Sequence, residues 1–177
     1  MLFRSCFTEA LLGWALARAG ALDAGLKRLQ RGADIRDRMQ TRIWSPFFLI
    51  SEAEIQMQNQ RNDAAIALLD RAAAEADATG QHYSDAERFR VRACVRSSQG
   101  APLAEVEALF QNGLATARRQ SARLFELRTA TSLAQVWREV GRSDDARALL
   151  APIYERFTSG YDTVDLNLAR AVLDSIK

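Results

Sequence analysis

Turn-forming residues recur along this chain with a period of about forty residues. One series follows helix-forming runs and a second series falls between its members: Gly20, Gln60, Gly100 and Gly141, then Gln40, Gly80, Gln120 and Gly160. The two series predict that a helix, a tight turn, a second helix and a looser turn repeat four times. Such a period is typical of helical solenoids, in which neighbouring units stack to bury one continuous core. Because a solenoid mainly presents a surface, the period favours a binding role over catalysis.

The composition independently indicates an all-α protein. Strong helix formers such as alanine, leucine and arginine are abundant, and only three prolines occur in 177 residues. A hydrophobic content of 48% is enough to bury one substantial core, so we expect a single domain over residues 1–177. We predict helix pairs over residues 5–40, 44–80, 84–120 and 124–160, followed by a capping helix over residues 163–176.

Polar residues near the predicted helix starts indicate where side chains cap the first turn. We expect such caps at Ser45, Asn62, Ser143 and Asp162, since a short polar side chain can accept a bond from an unpaired backbone N–H group. The sequence also predicts a capping box at residues 84–87, where serine and glutamate would satisfy each other's end amides. Pro152 should kink or shorten the helix that contains it.

Residues that could support catalysis or metal binding are sparse. His82 is the only histidine and falls in a predicted loop, and the two cysteines, Cys6 and Cys94, have no ligand-like spacing. Adjacent carboxylates such as Asp144 and Asp145 lack the i, i+3 or i, i+4 spacing that would direct both to one point. We therefore expect no enzyme activity, no metal and no cofactor.

Charge and hydropathy bear on location and partners. Arg4, the apolar residues 5–17 and the triplet at 17–19 imitate a signal peptide, but Glu9 interrupts the apolar run and the segment fits the repeat. We therefore expect a cytoplasmic protein. No run approaches the ~18 apolar residues of a membrane span, and a net charge of +2 gives no argument for nucleic acid.

Several units resemble the tetratricopeptide repeat, which places small residues where paired helices cross. The residues that carry the likeness are Leu12, Gly13, Leu133 and Ala134 in first helices, and Ala65, Leu69, Ala72, Ala146 and Leu150 in second helices. Small side chains let two backbones approach, and large ones fill the remaining gap. The resemblance implies a right-handed α-α superhelix of about four helix pairs with a C-terminal capping helix.

Longer blocks are similar to one bacterial group. Residues 13–17 (GWALA), 46–49 (PFFL) and 126–134 (ELRTATSLA), with their continuation to residue 166, resemble the C-terminal tetratricopeptide region of adenylate/guanylate cyclase–ATPase multidomain proteins. The resemblance implies a signalling context. The sequence contains no GxxxxGK[ST] phosphate-binding loop, so we carry over the fold and no activity. Glu52 and Arg96 depart from the pattern, since a large apolar residue is more usual there.

Tetratricopeptide arrays typically bind partners through the first helix of each pair. Projected onto this chain, that rule gives ten candidate contacts: Phe47, Ile50, Glu54, Met57, Glu87, Arg90, Arg128, Thr131, Gln135 and Arg138. Cys94 falls at a related position. The alternative is that these residues simply contact solvent or neighbouring helices.

Three functional hypotheses follow. The first is a non-catalytic scaffold that binds a protein or peptide, such as a cyclase or ATPase domain. The second is a regulatory C-terminal fragment of a cyclase or ATPase-type regulator. The third is nucleic-acid binding through Arg88, Arg92 and Arg96, which share one helix side, although Asp85 and Glu87 would neutralise part of that charge.

Overall fold

The computed structural model describes residues 2–160 and 162–176, with side chains from residue 6 onward. Within these residues the chain is all α-helical and contains no strand. The helices are α1 (Leu2–Arg18), α2 (Leu22–Arg38), α3 (Ser45–Gln58), α4 (Asn62–Thr79), α5 (Asp85–Ser98), α6 (Leu103–Arg119), α7 (Arg123–Glu139), α8 (Ser143–Tyr154) and α9 (Val164–Ser175). The all-α class and the predicted last helix are therefore confirmed. No helix in the described part of the chain is long and apolar enough to cross a membrane.

The turns between helices lie where the two breaker series placed them. Gly20, Gly100 and Gly141 have φ values of +89°, +74° and +79°, and Gln60 adopts the same left-handed region at +61°. In the first of these turns Ala21 N–H donates to the carbonyl of Leu16, which closes the helix end in the manner of a Schellman motif. One position differs, because Gln120 is right-handed and the neighbouring Ser121 takes the positive φ of +54°.

The predicted side-chain caps are wrong. Ser45, Asn62 and Ser143 are the first residues of their helices and do not occupy the capping position, and no side-chain cap bond is present at α3, α4, α8 or α9. Ser84 Oγ is buried without a hydrogen-bond partner, so the capping box does not form either. The reason is that backbone bonds across the short turns fix where each following helix begins, one residue earlier than side-chain capping would require.

The chain divides into two compact units, residues 1–84 and 85–177. In the first unit α1 pairs with α2, α3 pairs with α4, and α3 also packs against α1 and α2. In the second unit α5 pairs with α6, α7 pairs with α8, and α7 packs against both helices of the preceding pair. The structure thus contains the pairs α1–α2, α3–α4, α5–α6 and α7–α8, while the four repeat units and the continuous array expected over residues 1–177 remain predictions.

Glycines set the closest helix contact of the first unit. An ideal Cβ at Gly13 would lie 2.7 Å from the carbonyl oxygen of Gly25, and one at Gly25 would lie 2.7 Å from that of Gly13. The backbones of α1 and α2 therefore touch at this crossing, which only glycine permits. Leu29 and Ala17 are buried beside it, in a core that Phe48 and Ile55 of α3 complete.

The second unit has the larger core, and α9 extends it. Phe110, Leu127, Leu133 and Leu150 are fully buried at its centre. The inner side of α9 and the residue that follows the helix add further apolar side chains to the same cluster: Leu166, Ala169 and Val172, then Ile176. The last helix, α9, packs against both α7 and α8, in the same way that α7 packs against both α5 and α6. Pro152 lies inside α8, which ends two residues later as the shortened helix that we expected.

Candidate partner-binding surface

Four half-buried aromatic residues of the first unit form what we call the aromatic face: Phe7, Trp14, Trp44 and Phe47. The ring centroids of Phe7 and Trp44 lie 4.7 Å apart, and those of Trp14 and Phe47 lie 6.5 Å apart, both in tilted orientations. Such spacings are typical of stabilising aromatic pairs. The two aromatic residues of α1 thus lie beside Phe47 of α3 and beside Trp44, which precedes α3.

The fold fixes this arrangement through helix spacing and one unusual turn. Phe7 and Trp14 are seven residues apart and share one side of α1, close to two full turns. Trp44 precedes α3 with a left-handed φ of +66°, which is uncommon for a large side chain. Its N–H donates to Gln81 Oε1 at 2.8 Å, and its ring meets Tyr83 edge-on at 5.0 Å. The loop before α5 therefore holds Trp44 in place.

An arginine and a buried tyrosine hydroxyl lie near the aromatic face. The guanidinium of Arg18 lies over the Trp14 ring, 5.2 Å from its centroid, at a distance that supports a cation–π contact. Burial raises the pKa of Tyr83 above its ordinary value, and its hydroxyl oxygen is buried without a hydrogen-bond partner among the described residues. This side of the unit thus combines apolar rings with a positive charge.

The candidate contacts of α3 divide between surface and interior. Phe47 and Met57 are half-buried, and Phe47 belongs to the aromatic face. Ile50 and Glu54 are only 2% and 6% exposed, because α3 is covered by α1, α2 and α4. Ile50 and Glu54 therefore lie in the interior and cannot contact a partner at the surface.

In the second unit three candidate contacts, Glu87, Arg90 and Arg128, are buried and form an ion ladder with the half-buried Asp165, which the sequence did not single out. Glu87 Oε1 accepts from Arg90 Nη2 at 2.6 Å and lies 2.7 Å from Arg128 Nη2, and Arg128 Nε lies 3.6 Å from Asp165 Oδ1. The Arg128 side chain is only 3% exposed. Opposite charges alternate across α5, α7 and α9, so these residues join helices within the unit and do not present a surface.

The remaining candidates on α7 are also engaged within the fold. Thr131 is buried and its hydroxyl donates to the Leu127 carbonyl at 2.8 Å. Arg138 Nη1 donates to Ser175 Oγ of α9 at 2.7 Å, and Gln135 is half-buried nearby on the same helix. Because α9 packs against α7 and bonds to Arg128 and Arg138, it covers part of the side that the sequence assigned to a partner. This covering is the physical reason for the difference.

The arginine side of α5 is largely neutralised by ion pairs. Arg88 Nε donates to Asp85 Oδ1 at 3.2 Å, and its guanidinium lies over the Phe89 ring. Arg96 Nε donates to Glu105 Oε1 at 2.6 Å, and this bond raises the pKa of Arg96 and lowers that of Glu105. With these charges compensated, the structure gives no support to a phosphate-binding strip on α5.

A second polar feature lies between α6, α7 and α8. Glu126 Oε1 accepts a hydrogen bond from Arg118 at 2.8 Å, and Oε2 accepts one from Arg156 at 2.5 Å. These residues lie beside a cavity of ≈ 380 Å³ that Leu149 and Pro152 help to line. Burial acts to raise the pKa of Glu126, but the two arginine bonds outweigh it, so the pKa lies below the ordinary value. The cluster is a compensated ion triad.

Glu52 shows the opposite behaviour in the first unit. Its burial in α3 raises the pKa above the ordinary value, although the positive charges of Arg71 and Arg36 act to lower it. The carboxyl therefore occupies a site that disfavours its charged form. This is the position where the repeat pattern usually has a large apolar residue.

Neither the possible metal ligands nor the comparisons with known proteins identify a further functional site. Among the residues that the structure describes, no group of three or more His, Cys, Asp or Glu side chains is placed to hold a metal ion. Cys6 is buried, Cys94 is half-buried, and neither forms a disulfide. No family model, curated protein or solved structure matches the chain.

Sequence reasoning missed three members of the aromatic face, Phe7, Trp14 and Trp44. A usable signal was present, because Phe7 and Trp14 lie forty residues before Phe47 and Glu54 in the repeat register. Projecting the partner side onto the first helix would have found them. Trp44 gave no such signal, since it lies in the turn and outside the helical register.

Proposed function

We propose that the chain is a non-catalytic helical-repeat module of the tetratricopeptide type that binds a protein or peptide partner through the aromatic face. The observation that carries this proposal is the contrast between the two units. Phe7, Trp14, Trp44 and Phe47 remain half-exposed, whereas the corresponding side of the second unit is closed by the buried ion ladder and by α9.

The chemistry of the aromatic face suits protein recognition. Tryptophan and phenylalanine offer large contact areas with few rotatable bonds, so their ordering on binding costs little entropy, and aromatic residues are enriched at interface hot spots. Packing of Trp14 against Phe47 and of Phe7 against Trp44 already restricts the rings. Arg18 adds a cation–π contact to the Trp14 ring, so the face favours a partner that offers apolar side chains.

The signalling context rests on the resemblance to the cyclase–ATPase–tetratricopeptide group, and we propose it on that basis. Its most specific block, residues 126–134, falls in α7, where eight of the nine residues are buried. Resemblance in so buried a helix reflects packing, so it supports a shared fold more directly than a shared partner. A cyclase or ATPase domain is the partner that this context favours.

An affinity-capture experiment with matched variants tests the aromatic face. The tagged chain, a Trp14→Ala/Phe47→Ala variant and a Leu124→Ala control are compared for partners retained from a bacterial lysate. Leu124 is also an exposed apolar residue, 42% exposed, but lies in the second unit. We expect the double variant to lose partners that the control retains, with equal helix content by circular dichroism. Equal recovery in all three would reject the aromatic face.

The second candidate is a regulatory C-terminal segment of a cyclase or ATPase-type regulator, and the same resemblance favours it. Its test is the coding sequence immediately upstream, followed by an activity assay. A cyclase or P-loop domain in the same frame, whose nucleotide turnover changes when residues 1–177 are deleted, would support it. Turnover that does not depend on these residues would exclude regulation by them.

A further inference from the structure

The α1 helix carries a second exposed surface, beside the aromatic face, that we call the α1 stripe. It consists of exposed residues on one side of the helix: Thr8, Leu11, Leu12 and Ala15. Leu11 and Leu12 are 38% and 39% exposed. The core-facing residues Cys6, Ala10 and Ala17 lie on the opposite side of α1, so the stripe makes no contribution to the unit's own core.

The repeat register shows what covers the equivalent positions elsewhere in the chain. Aligning Gly20 with Gln60 places Thr8 on Phe48 of α3, and aligning Gly20 with Gly141 places Thr8 on Thr129 of α7. Phe48 and Thr129 are 3% and 0% exposed. Each is buried by a preceding helix pair, whereas Thr8 is exposed.

Both buried equivalents meet a glycine of the preceding second helix. The Phe48 ring lies 2.8 Å from the ideal Cβ position of Gly32 in α2. The Thr129 methyl group lies 3.2 Å from that of Gly113 in α6. At both observed junctions, α3 on α2 and α7 on α6, the first helix of a pair therefore packs against a glycine of the preceding second helix.

A leucine of the α1 stripe leads to the same conclusion. Leu12 aligns with Leu133 of α7, which is fully buried in the core of the second unit. Fully burying a leucine stabilises an interface relative to leaving it exposed, because apolar surface is removed from water. The α1 stripe thus has the residue types of a repeat junction, and its two leucines are exposed.

We propose that the α1 stripe docks a further helix pair, whose second helix carries glycine where it crosses α1, as α2 and α6 do at the two observed junctions. The partner surface is apolar and small: glycine and alanine at the crossing, with leucine beside them. A bulky residue at the crossing would hold the helices apart, because backbones approach closely only over small side chains.

A fusion that rebuilds the junction tests this directly. A copy of residues 85–122, which contains α5, α6 and the turn that leads into α7, is joined in front of Leu2 of the full chain. In the repeat register Leu2 aligns with Arg123, so α1 then follows the copy as α7 follows α6. We expect a higher Tm and amide exchange at residues 11–15 slowed by about tenfold or more relative to the unfused chain.

Two variants of the fusion control for non-specific effects. Gly113→Leu in the added copy alone should remove the slowing, and so should Leu12→Arg in α1. Unchanged exchange in the fusion, an unfolded added pair, or equal slowing in both variants would overturn the proposal. A dimer of the unfused chain that Leu12→Arg dissociates would also overturn it, because the occupant would then be a second copy.

Discussion

Replacing Gly25 with alanine should destabilise the first unit, although the same change raises helix propensity. The new methyl group would lie 2.7 Å from the Gly13 carbonyl oxygen and 2.9 Å from the backbone nitrogen of Ala17. These are backbone atoms of α1, so they cannot move by changing a rotamer. The two helices must separate, and the packing of Leu29 beside the crossing loosens.

The expected change in the free energy of unfolding is the sum of two opposing contributions. Overpacking of a well-packed core costs about 1–3 kcal/mol, and the upper end applies because the clash is with backbone. Alanine is the better helix former by about 1 kcal/mol. The net loss is therefore about 2 kcal/mol, which lowers the Tm of a chain of this size by about 4–8 °C. Urea and thermal unfolding followed by circular dichroism at 222 nm measure both quantities.

Gly113→Ala in α6 is the matched control. Its nearest neighbours, the Ala86 carbonyl oxygen and the Thr129 methyl group, lie 3.2 Å from the ideal Cβ position, so a shift of a few tenths of an ångström accommodates the methyl group. We expect Gly113→Ala to change the free energy of unfolding by less than about 1 kcal/mol. If Gly25→Ala were neutral or stabilising, or if both variants behaved alike, the close contact between α1 and α2 would be refuted.

Three further predictions concern four substitutions, one in a turn and three at charged residues. Gln60→Gly should raise the free energy of unfolding by about 0.5–1 kcal/mol, because it relieves a left-handed φ of +61°, and a loss of stability in urea unfolding would contradict this. Arg128→Met should lower it by about 3 kcal/mol, because it leaves the carboxylate of Glu87 buried with one cation fewer; an effect below about 1 kcal/mol would show that the ladder is not buried in solution. Glu52→Gln should stabilise the protein at pH 7 and Glu126→Gln should destabilise it by about 1 kcal/mol, since the folded pKa is raised in the first and lowered in the second. As the pH rises through the raised folded pKa of Glu52, ionisation of this carboxyl destabilises the protein; as the pH falls through the lowered folded pKa of Glu126, its stabilising contribution is lost. The differences in the free energy of unfolding between each variant and the parent chain should therefore shrink between pH 7 and pH 3. Changes of the same sign in both variants at pH 7 would disprove the assignment.

The helix pairs could be predicted from the sequence because the turn chemistry is strong. Gly20, Gly80, Gly100 and Gly141 all have the positive φ that glycine tolerates best. Gln60 shows that the period itself carried information, since glutamine alone would not have indicated a left-handed turn. Periodicity and glycine thus located the pairs before any contact was known.

Capping was mispredicted because local preference competed with the turn. Ser45 is a favourable capping residue, but Trp44 occupies the capping position and is held there by Gln81 and Tyr83. These partners are about forty residues away in sequence, so no local pattern identifies them. At α3 these tertiary contacts therefore act together with the backbone bonds of the turn in fixing the helix start.

The candidate surface was only half predictable for a related reason. The repeat register groups residues on one side of each first helix, but it does not indicate whether another helix covers that side. Arg128 and Arg138 bond to α9, and Glu54 lies among the helices around α3. Burial depends on which helices follow and how they pack, and that information is spread over the whole unit.

The most direct test of partner binding through the aromatic face is site-specific photo-crosslinking in cells. A benzoylphenylalanine at Phe47 replaces one aromatic ring by another, and the same residue at Phe89, a half-buried phenylalanine of α5, is the matched control. We predict a discrete protein adduct from position 47 that Trp14→Ala removes, and none from position 89. No adduct from position 47, or the same adduct from both positions, would contradict the account.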